Sequence, residues 1–375
     1  MKIDSIKNIS DGARAYLVPV GSVSGGRLGL GCAVPGLRFL AARLVVRDGG
    51  TTLWQSTVPV EGLDNVISEL PVRLQAQLAQ QLEGLSALRQ NLVLPGRALP
   101  LSFSRPRIMG VLNVTPDSFS DGGQFLDTGA AIRHARQMIT QGADIIDIGG
   151  ESTRPGAKPV WEGEEAERIM PVIEALQADG IPLSVDTRHS YVMEKAAKAG
   201  AHILNDVSAL TYDGDSMQVA AACDLPIVLM HAQGTPETMQ DSPSYSNVLY
   251  DVYDYLVQRI KACDDAGISR SRLILDPGIG FGKRVVQDNL ALINCLPLFL
   301  TLGCPLLLGV SRKRFIGAIT GEEEASSRVS GSVTAAVKCV EQGAQIVRVH
   351  DVAETAQALK LTQAFHDAAI MDGLD

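Results

Sequence analysis

Residues 128–150 have the sequence TGAAIRHARQMITQGADIIDIGG, which contains one helical pattern followed by one strand pattern. The apolar residues of the first half recur at the spacing of one helix face: Ala131, Ile132, Ala135, Met138 and Ile139. Asp127 or Thr128 can cap this helix, and Gly142 can take the left-handed conformation that ends it. The nearly continuous apolar run at 143–149 predicts a strand covered on both faces.

This helix–strand unit is one of a series that begins at Arg107. Short β-branched runs alternate with amphipathic helical patterns, and Gly200-Ala201 and Gly343-Ala344 repeat the glycine–alanine join at Gly142. The predicted strands are Ile108–Asn113, Ala143–Gly149, Ile181–Asp186, His202–Asp206, Pro226–His231, Arg272–Asp276, Pro305–Ser311 and Ala344–His350. Eight βα units predict an α/β fold of the (β/α)8 TIM-barrel type, with an open doubly wound sheet as the structural alternative.

The first hundred residues follow another pattern. Ala15–Val20 and Phe39–Val46 resemble strands, and a glutamine-rich segment predicts a helix with an apolar stripe that packs on a core. That stripe consists of Leu74, Leu78, Leu82, Leu85 and Leu88. We therefore place a small α/β domain of unknown role at residues 1–95, a proline-punctuated linker at 96–105 and the barrel at 106–375.

The composition restricts the possible partners and compartments. A net charge of −9 argues against a nucleic-acid partner, because a general nucleic-acid binder needs a basic face. The six cysteines form no CxxC pair, which favours reduced thiols over disulfides or a zinc site. The first 14 residues lack the apolar segment of a signal peptide, and no run approaches the ~20 apolar residues of a membrane span. We expect a cytoplasmic protein with no membrane partner.

Polar residues stand at the end of every predicted strand. The runs are Asn113, Gly149–Gly156, Asp186–Arg188, Asn205–Asp206, Met230–His231, Asp276–Lys283, Ser311–Arg314 and Arg348–Asp351. A single such residue would be a helix cap or a solvated loop residue. Because TIM barrels bind ligands at the carboxyl ends of their strands, eight polar ends on one rim indicate a binding site.

The carboxylates and the amide on this rim suit a flat heterocycle rich in N–H groups. Asp186, Asn205 and Asp276 follow strands three, four and six, so they can converge on the barrel mouth. A buried carboxylate can accept two parallel hydrogen bonds from a ring N–H and an exocyclic amine. A structural ion pair with a lysine or arginine of the barrel remains the alternative for each of these carboxylates.

The basic residues lie at the ends of strands seven and eight, where barrels commonly bind phosphate. Lys313 and Arg348 supply positive charge, and the guanidinium adds a planar fork and a flat stacking face. His350 can donate to phosphate or be a neutral structural residue. The glycine-rich run at 278–282 lacks the spacing of a phosphate loop, so we interpret it as a turn that brings backbone close to the site.

Five motifs together resemble those of the dihydropteroate synthases. They are Asn113–Gly123 (NVTPDSFSDGG), Gly150–Gly156 (GESTRPG), Asp276–Lys283 (DPGIGFGK), Ser311–Lys313 (SRK) and Arg348–Val352 (RVHDV). The resemblance extends over about residues 105–365, in order and with barrel spacing. The first hundred residues lie outside it.

The resemblance implies a role for each matching residue. Pterin binding is expected of Asp186, Asn205, Asp276 and Lys313, with Arg348 stacked on the ring. Pyrophosphate and its Mg²⁺ are expected at Asn113, Arg348 and His350. The p-aminobenzoate pocket is expected to include Thr153, Arg154, Pro155, Ser311 and Lys313, while Asp117 and Phe119 belong to a mobile first loop. The residues expected to act in catalysis are Asp186, Asp276, Lys313, Arg348 and His350.

The resemblance also implies a reaction. A pterin-methyl pyrophosphate would lose pyrophosphate, and the aromatic amine of p-aminobenzoate would attack the resulting pterin cation, with sulfonamides as competitors. Family membership further implies a homodimer. Two other functions share the barrel and the acidic pterin contacts: a methyltransferase that moves a methyl group from a folate to a corrinoid, and a catalytically silent pterin-binding protein.

Overall fold

The computed structural model describes residues 9–25, 28–115, 128–152, 156–157 and 159–371. No helix in these ranges is both long enough and apolar enough to cross a bilayer.

Eight parallel strands form the larger part of the molecule. They are β5 (Arg107–Asn113), β6 (Ile145–Gly149), β7 (Leu183–Asp186), β8 (Ile203–Asp206), β9 (Ile227–Met230), β10 (Leu273–Asp276), β11 (Leu307–Leu308) and β12 (Ile346–Val349). Their spatial order is β10-β9-β8-β7-β6-β5-β12-β11. The first and last strands of this order meet at a parallel bridge between Leu275 and Leu306, where Leu275 N donates to Pro305 O at 2.9 Å. The sheet thus closes into the predicted TIM barrel.

Helices surround the barrel. They are α3 (Thr128–Gln141), α4 (Glu162–Leu176), α5 (Ser190–Lys198), α6 (Ser216–Ala222), α7 (Val248–Asp265), α8 (Gln287–Asn294), α9 (Pro297–Leu300), α10 (Arg314–Thr320), α11 (Val329–Glu341) and α12 (Val352–Met371). Short 3-10 turns occupy Val60–Gly62, Gln177–Asp179, Arg270–Arg272 and Ala325–Arg328. The apolar face predicted for α3 is buried at Ala131, Ala135 and Met138.

All eight predicted strands are present; β5 begins one residue earlier than predicted, and the other seven are one to five residues shorter than their apolar runs. The join after α3 shows the reason. Gly142 has φ +107°, and Ala143 N donates to Met138 O at 3.0 Å. Residues 143–144 therefore still belong to the C-terminal cap of the helix and not to the strand. Ladder pairing begins only at Ile145, which pairs with Met109.

The N-terminal region is a second, smaller α/β unit, as predicted. It contains β1 (Arg14–Ser24), β2 (Leu30–Gly31), β3 (Leu37–Asp48), β4 (Thr51–Pro59), α1 (Leu63–Ser68) and α2 (Val72–Ser86). The strands are antiparallel, with β3 pairing β1 along one edge and β2 and β4 along the other. The sequence pattern predicted β1 and β3 but gave no sign of β2 and β4.

Helix α2 carries the leucine stripe, with one correction. Leu74, Leu78 and Leu85 are fully buried, as predicted. Leu88 was wrongly included, because its side chain is 85% exposed. The helix ends at Ser86 and Ala87 has ψ 122°, so the chain leaves the helical path before Leu88 could continue the stripe.

The glutamines of α2 cover the edge of β1 that faces away from β3. Gln81 Nε2 donates to Ala15 O at 2.8 Å, and Gln81 Oε1 accepts from Leu17 N at 2.7 Å. Gln77 Oε1 accepts from Ala15 N at 2.8 Å. These side chains satisfy backbone groups that a neighbouring strand would otherwise pair, which protects the edge from other chains.

Polar contacts fasten the N-terminal unit to the outside of the barrel. Tyr16 Oη donates to Asp254 Oδ2 at 2.9 Å, and Arg14 pairs with the other oxygen of Asp254 at 2.7 Å. Arg89 Nη2 donates to Leu300 O at 2.6 Å. The N-terminal unit therefore packs on helices α7 and α9.

The segment around the predicted linker fills the floor of the barrel. Leu92 and Leu101 form an antiparallel bridge, with both N–O distances at 2.9 Å. The apolar side chains of this segment share one buried cluster with the first inward-facing residues of the strands: Leu92, Leu94, Leu101, Phe103, Met109, Ile145, Ile203, Val228, Ile274, Leu307 and Ile346. The segment thus contributes packing as well as connection.

Replacing Phe103 with alanine should therefore destabilise the barrel. We expect Phe103→Ala to lower the free energy of unfolding by about 3–5 kcal/mol, because it leaves a cavity in a closed core. Leu99→Ala is the matched control in the same segment, since that side chain is 77% exposed and its loss should cost less than about 0.5 kcal/mol. Denaturant unfolding measures both, and equal shifts in the two variants would show that the floor packing is not stabilising.

Candidate active site

A cavity of about 390 Å³ opens at the carboxyl ends of the barrel strands. Six of the predicted site residues line it: Asn113, Asp186, Ser311, Lys313, Arg348 and His350. They come from strand ends up to 237 residues apart in sequence, which only barrel closure brings together.

Arg348 links two buried carboxylates under this cavity. Its Nε donates to Asp147 Oδ2 and its Nη2 donates to Asp186 Oδ2, both at 2.6 Å. Asn205 Nδ2 donates to the same Asp147 oxygen at 3.0 Å. The second oxygens of Asp147 and Asp186 are buried without a hydrogen-bond partner among the described residues. The network therefore presents acceptor groups that a ligand can use.

The charges in this network shift one another's protonation. Burial raises the pKa of Asp186, and Asp147 raises it further, while Arg348 opposes the shift. Burial alone would lower the pKa of Arg348, but Asp147 and Asp186 together outweigh it and raise that pKa above its usual range. Arg348 thus stays charged, and Asp186 gains a proton more readily than an exposed carboxylic acid would.

Asp276 is fixed at the end of β10 by the glycine-rich turn that follows it. Gly278 N donates to Asp276 Oδ1 at 2.7 Å. Gly278 has φ +74°, and a Cβ there would lie 1.8 Å from His231 O, so only glycine fits. Burial raises the pKa of Asp276, with the Gly278 N–H and Lys313 opposing the shift. The turn brings backbone to the site, as predicted.

Lys283 ties this turn to β9. Its Nζ lies 2.9 Å from His231 Nδ1, 3.1 Å from Gly278 O and 2.9 Å from Phe281 O. Three acceptors match the three N–H groups of an ammonium. Burial lowers the pKa of Lys283 to about 7, and burial with the Lys283 charge lowers the pKa of His231 to about 2, so the imidazole is neutral.

The ends of β11 and β12 meet beside this turn, because β11 closes the barrel next to β10. Ser311 Oγ accepts from His350 N at 3.2 Å and lies 3.0 Å from His350 Nδ1. Arg312 has φ +57°, its N donates to Ser332 Oγ at 2.8 Å, and its guanidinium pairs with Asp351. Lys313 Nζ lies 4.2 Å from the centre of the Phe281 ring. This side of the cavity combines cations with hydroxyl and imidazole groups.

Some polar strand ends serve the fold instead of the cavity. Asp206 accepts from Ser208 N at 2.7 Å and from Leu210 N at 2.8 Å, so it holds its own loop. Arg188 donates to both oxygens of Glu151 at 2.9 Å. The expectation that all eight strand ends belong to a ligand site was therefore too broad.

Five predicted residues of the two rim loops, Asp117, Phe119, Thr153, Arg154 and Pro155, lie outside the described residues. Among the residues at the site that were not predicted, Asp147 and Lys283 make the most polar contacts described above. Asp147 is an aspartate inside the apolar run IIDIG, and a charge in a doubly covered strand is itself a signal of a functional or paired group. Lys283 is the last residue of the motif Asp276–Lys283, and the sequence analysis assigned it no role.

The comparisons with known proteins agree with this geometry. The family described as pterin binding enzyme matches residues 109–350. The dihydropteroate synthase of Neisseria meningitidis serogroup B is 51% identical over 269 residues, which cover 70% of this chain and 94% of the relative. The dihydropteroate synthase of Escherichia coli K12 is 47% identical over 265 residues, which cover 70% of this chain and 93% of the relative.

Solved structures show the same similarity. A Yersinia pestis dihydropteroate synthase in a sulfonamide drug complex superimposes with a TM-score of 0.70 at 45% identity, covering 74% of this chain and all of that one. A Xanthomonas albilineans dihydropteroate synthase in complex with 7,8-dihydropteroate gives a TM-score of 0.67 at 44% identity, covering 74% of this chain and 98% of that one. The uncovered quarter is large enough to contain the N-terminal unit.

Proposed function

Because this chain belongs to the dihydropteroate synthases of the pterin-binding enzyme family, we propose that its barrel joins a pterin to p-aminobenzoate. The substrates are 7,8-dihydropterin-6-ylmethyl diphosphate and p-aminobenzoate, and the products are 7,8-dihydropteroate and pyrophosphate. The chain is a transferase. The observation that carries the proposal is a cavity lined both by the buried carboxylate of Asp186 and by the cations Lys313 and Arg348, with Arg348 bonded to Asp186.

The carboxylate side suits the pterin ring. Asp186, Asn205 and Asp276 are all at least nine-tenths buried at the ends of β7, β8 and β10, and Asp186 lines the cavity. The unpartnered oxygen of Asp186 can accept from a ring N–H or an exocyclic amine. Lys313, beside the Phe281 ring, can donate to a carbonyl of the pterin. A buried polar site of this kind discriminates strongly against rings that leave its groups unpaired.

The basic residues of the same cavity suit the pyrophosphate. Arg348 uses Nε and Nη2 on carboxylates, which leaves its third guanidinium nitrogen for an oxygen anion or its flat face for the ring. His350 lines the same cavity and contacts Ser311. These groups can stabilise the negative charge that develops on the leaving pyrophosphate.

Mg²⁺ is the cofactor that we propose, with Asn113 as its protein ligand. Asn113 is half-buried at the end of β5 and lines the cavity with Arg348 and His350. One neutral oxygen donor fits a Mg²⁺ ion whose other ligands are substrate phosphates and waters. When bound, the ion would neutralise charge on the pyrophosphate.

The reaction needs no nucleophile from the protein. The bond from the exocyclic pterin carbon to oxygen breaks, and its electron pair leaves with pyrophosphate. The nitrogen of p-aminobenzoate then forms a bond to that carbon and loses a proton. The negative charges of Asp186 and Asp276 favour the cationic ring in between, while Arg348 and His350 stabilise the departing anion.

The p-aminobenzoate pocket is proposed at Ser311 and Lys313, which line the cavity. The family resemblance adds Thr153, Arg154 and Pro155 from the second rim loop, and Asp117 and Phe119 from the first. Closed loops would keep water from capturing the pterin cation before the amine does.

Release of pyrophosphate from the pterin diphosphate tests the proposal, measured with Mg²⁺ in the presence and absence of p-aminobenzoate. We expect 7,8-dihydropteroate to form only with both substrates. A sulfonamide should raise the KM for p-aminobenzoate and leave kcat unchanged. If the pterin binds but no condensation follows, the synthase assignment fails and the methyltransferase or silent pterin-binding function takes its place.

A cytoplasmic homodimer is the assembly that we propose. All six cysteines are unpaired, which is typical of a reducing compartment. Leu361 and Phe365 are exposed on the outer face of α12, where a second copy could cover them. Solution mass by light scattering tests this, and a monomer at micromolar concentration would contradict it.

A further inference from the structure

A second cluster of ionisable side chains lies beside the cavity, at the carboxyl ends of β6 and β7. Glu151 follows β6, Glu165 lies on α4, and His189 follows β7. One ligand atom from each lies within 4.8 Å of the others. Glu151 is 4% exposed and also lines the cavity, while Glu165 is fully buried. Small ions can therefore reach the cluster from the cavity.

This cluster contains buried polar atoms that lack a hydrogen bond of normal geometry. Both carboxylate oxygens of Glu165 and Nε2 of His189 have no such bond to a described residue, although the Thr187 side chain interacts with the Glu165 carboxylate. His189 Nε2 lies 3.9 Å from Glu151 Oε2 and 4.0 Å from Glu165 Oε2, which is too long for hydrogen bonds. Because buried polar groups nearly always form hydrogen bonds, the missing partners of these atoms indicate that a ligand binds here.

The spacing of these atoms suits a metal ion. With metal–ligand bonds of about 2.1 Å, as for zinc, two ligand atoms of one ion can be at most about 4.2 Å apart. Small movements of these three side chains towards one another would therefore be enough to bind an ion. Glu151 already pairs with Arg188, yet a carboxylate has about four acceptor positions and can still bind an ion.

The charges around His189 support the same interpretation. Nδ1 lies 3.9 Å from Glu162 Oε2, and Asp213 belongs to the same group of potential ligands. A metal on Nε2 would leave the proton on Nδ1, on the side of these two carboxylates, as in carboxylate–histidine–metal triads. Arg188 pairs with Glu151, whereas Glu165 forms no ion pair with an arginine or lysine among the described residues.

We propose that Glu151, Glu165 and His189 bind a divalent transition-metal ion, such as Mn²⁺ or Zn²⁺, at a site separate from Asn113. An imidazole ligand favours these ions over Mg²⁺ and Ca²⁺. The ion would fasten the start of the second rim loop to α4 and to the end of β7. Its role would be structural, and the inference does not depend on the proposed reaction.

Mn²⁺ alone is the probe, because it prefers oxygen and nitrogen ligands to the six thiols. It is titrated into metal-free full-length protein without pyrophosphate, and binding is followed by electron paramagnetic resonance. We expect the parent protein to bind about one equivalent, and Glu165→Gln and His189→Gln to bind at least ~10-fold more weakly. His366→Gln, on α12 and outside the cluster, is the matched control and should bind like the parent.

Thermal unfolding gives a second readout that does not require activity. Because an ion that binds only the folded state stabilises it, Mn²⁺ should raise the Tm of the parent and of His366→Gln. Glu165→Gln keeps the side-chain shape, so it should fold, but its Tm should not respond to Mn²⁺. A parent protein that binds no Mn²⁺, or a His189→Gln variant that binds it as tightly as the parent, would overturn the proposal.

Discussion

Arg348→Ala should lower both stability and activity. The substitution leaves Asp147, which is fully buried, and Asp186 without their shared counterion. Breaking a buried ion pair from one side costs about 3–5 kcal/mol, and we expect about 3 because the Arg348 side chain is 21% exposed. kcat/KM should fall at least ~10²-fold, since a preorganised charge at the leaving group is lost. Chemical unfolding and steady-state kinetics measure the two effects.

The loss of stability in Arg348→Ala should depend on pH in a definite direction. Without the guanidinium, which opposes the shift, the pKa of Asp186 in the folded protein should rise further above that of the unfolded chain. A carboxyl group whose pKa is raised in the folded state destabilises the fold at pH values at which it is ionised. The loss in the free energy of unfolding should therefore be larger at pH 8 than at pH 5. Adding Asp147→Asn to the variant should restore part of the stability but not the activity.

Arg136→Ala is the control for this experiment. Arg136 pairs with Asp179 at 2.9 Å on the surface, with its side chain 53% exposed. Exposed ion pairs contribute at most about 1 kcal/mol, so this variant should remain close to the parent. If Arg348→Ala proved as stable as Arg136→Ala, the carboxylate network would not depend on Arg348.

Asp276→Asn should reduce activity while preserving the fold. An asparagine oxygen can still accept from Gly278 N, which Asp276 Oδ1 does at 2.7 Å in the parent. The negative charge that favours the cationic pterin is lost, and kcat/KM should fall at least ~10²-fold. Because burial raises the pKa of Asp276, the parent should lose activity on acidification at a higher pH than an exposed carboxylate would predict.

Asp224→Asn provides the matched control for Asp276→Asn. The Asp224 side chain is 87% exposed and lies 3.6 Å from Arg272, remote from the described cavity lining. Its kcat/KM should equal that of the parent, and its unfolding midpoint should be unchanged. A kcat/KM for Asp276→Asn within twofold of the parent would remove Asp276 from the catalytic assignment.

Local sequence patterns were sufficient to predict the barrel. The apolar period changes from helix to strand eight times, and glycines such as Gly142, Gly200 and Gly343 mark helix ends because they have positive φ in the structure. The same patterns were weaker at element ends. The run Pro305–Ser311 contains only the two-residue strand β11, since pairing depends on neighbouring strands and not on the run itself.

The sequence alone determined the fold class, the rim that carries the polar residues and the family, because strand order and strand polarity in a βα repeat follow from local periodicity. Tertiary structure decided which polar groups meet. Asp147 and Arg348 are 201 residues apart, and Glu165 and His189 face each other only after α4 packs against α5. The floor packing of Phe103 and the edge bonds of Gln81 arise in the same way. Hydrogen bonds and buried charges depend on distances of a few ångströms between remote segments, and those distances are set when the barrel closes.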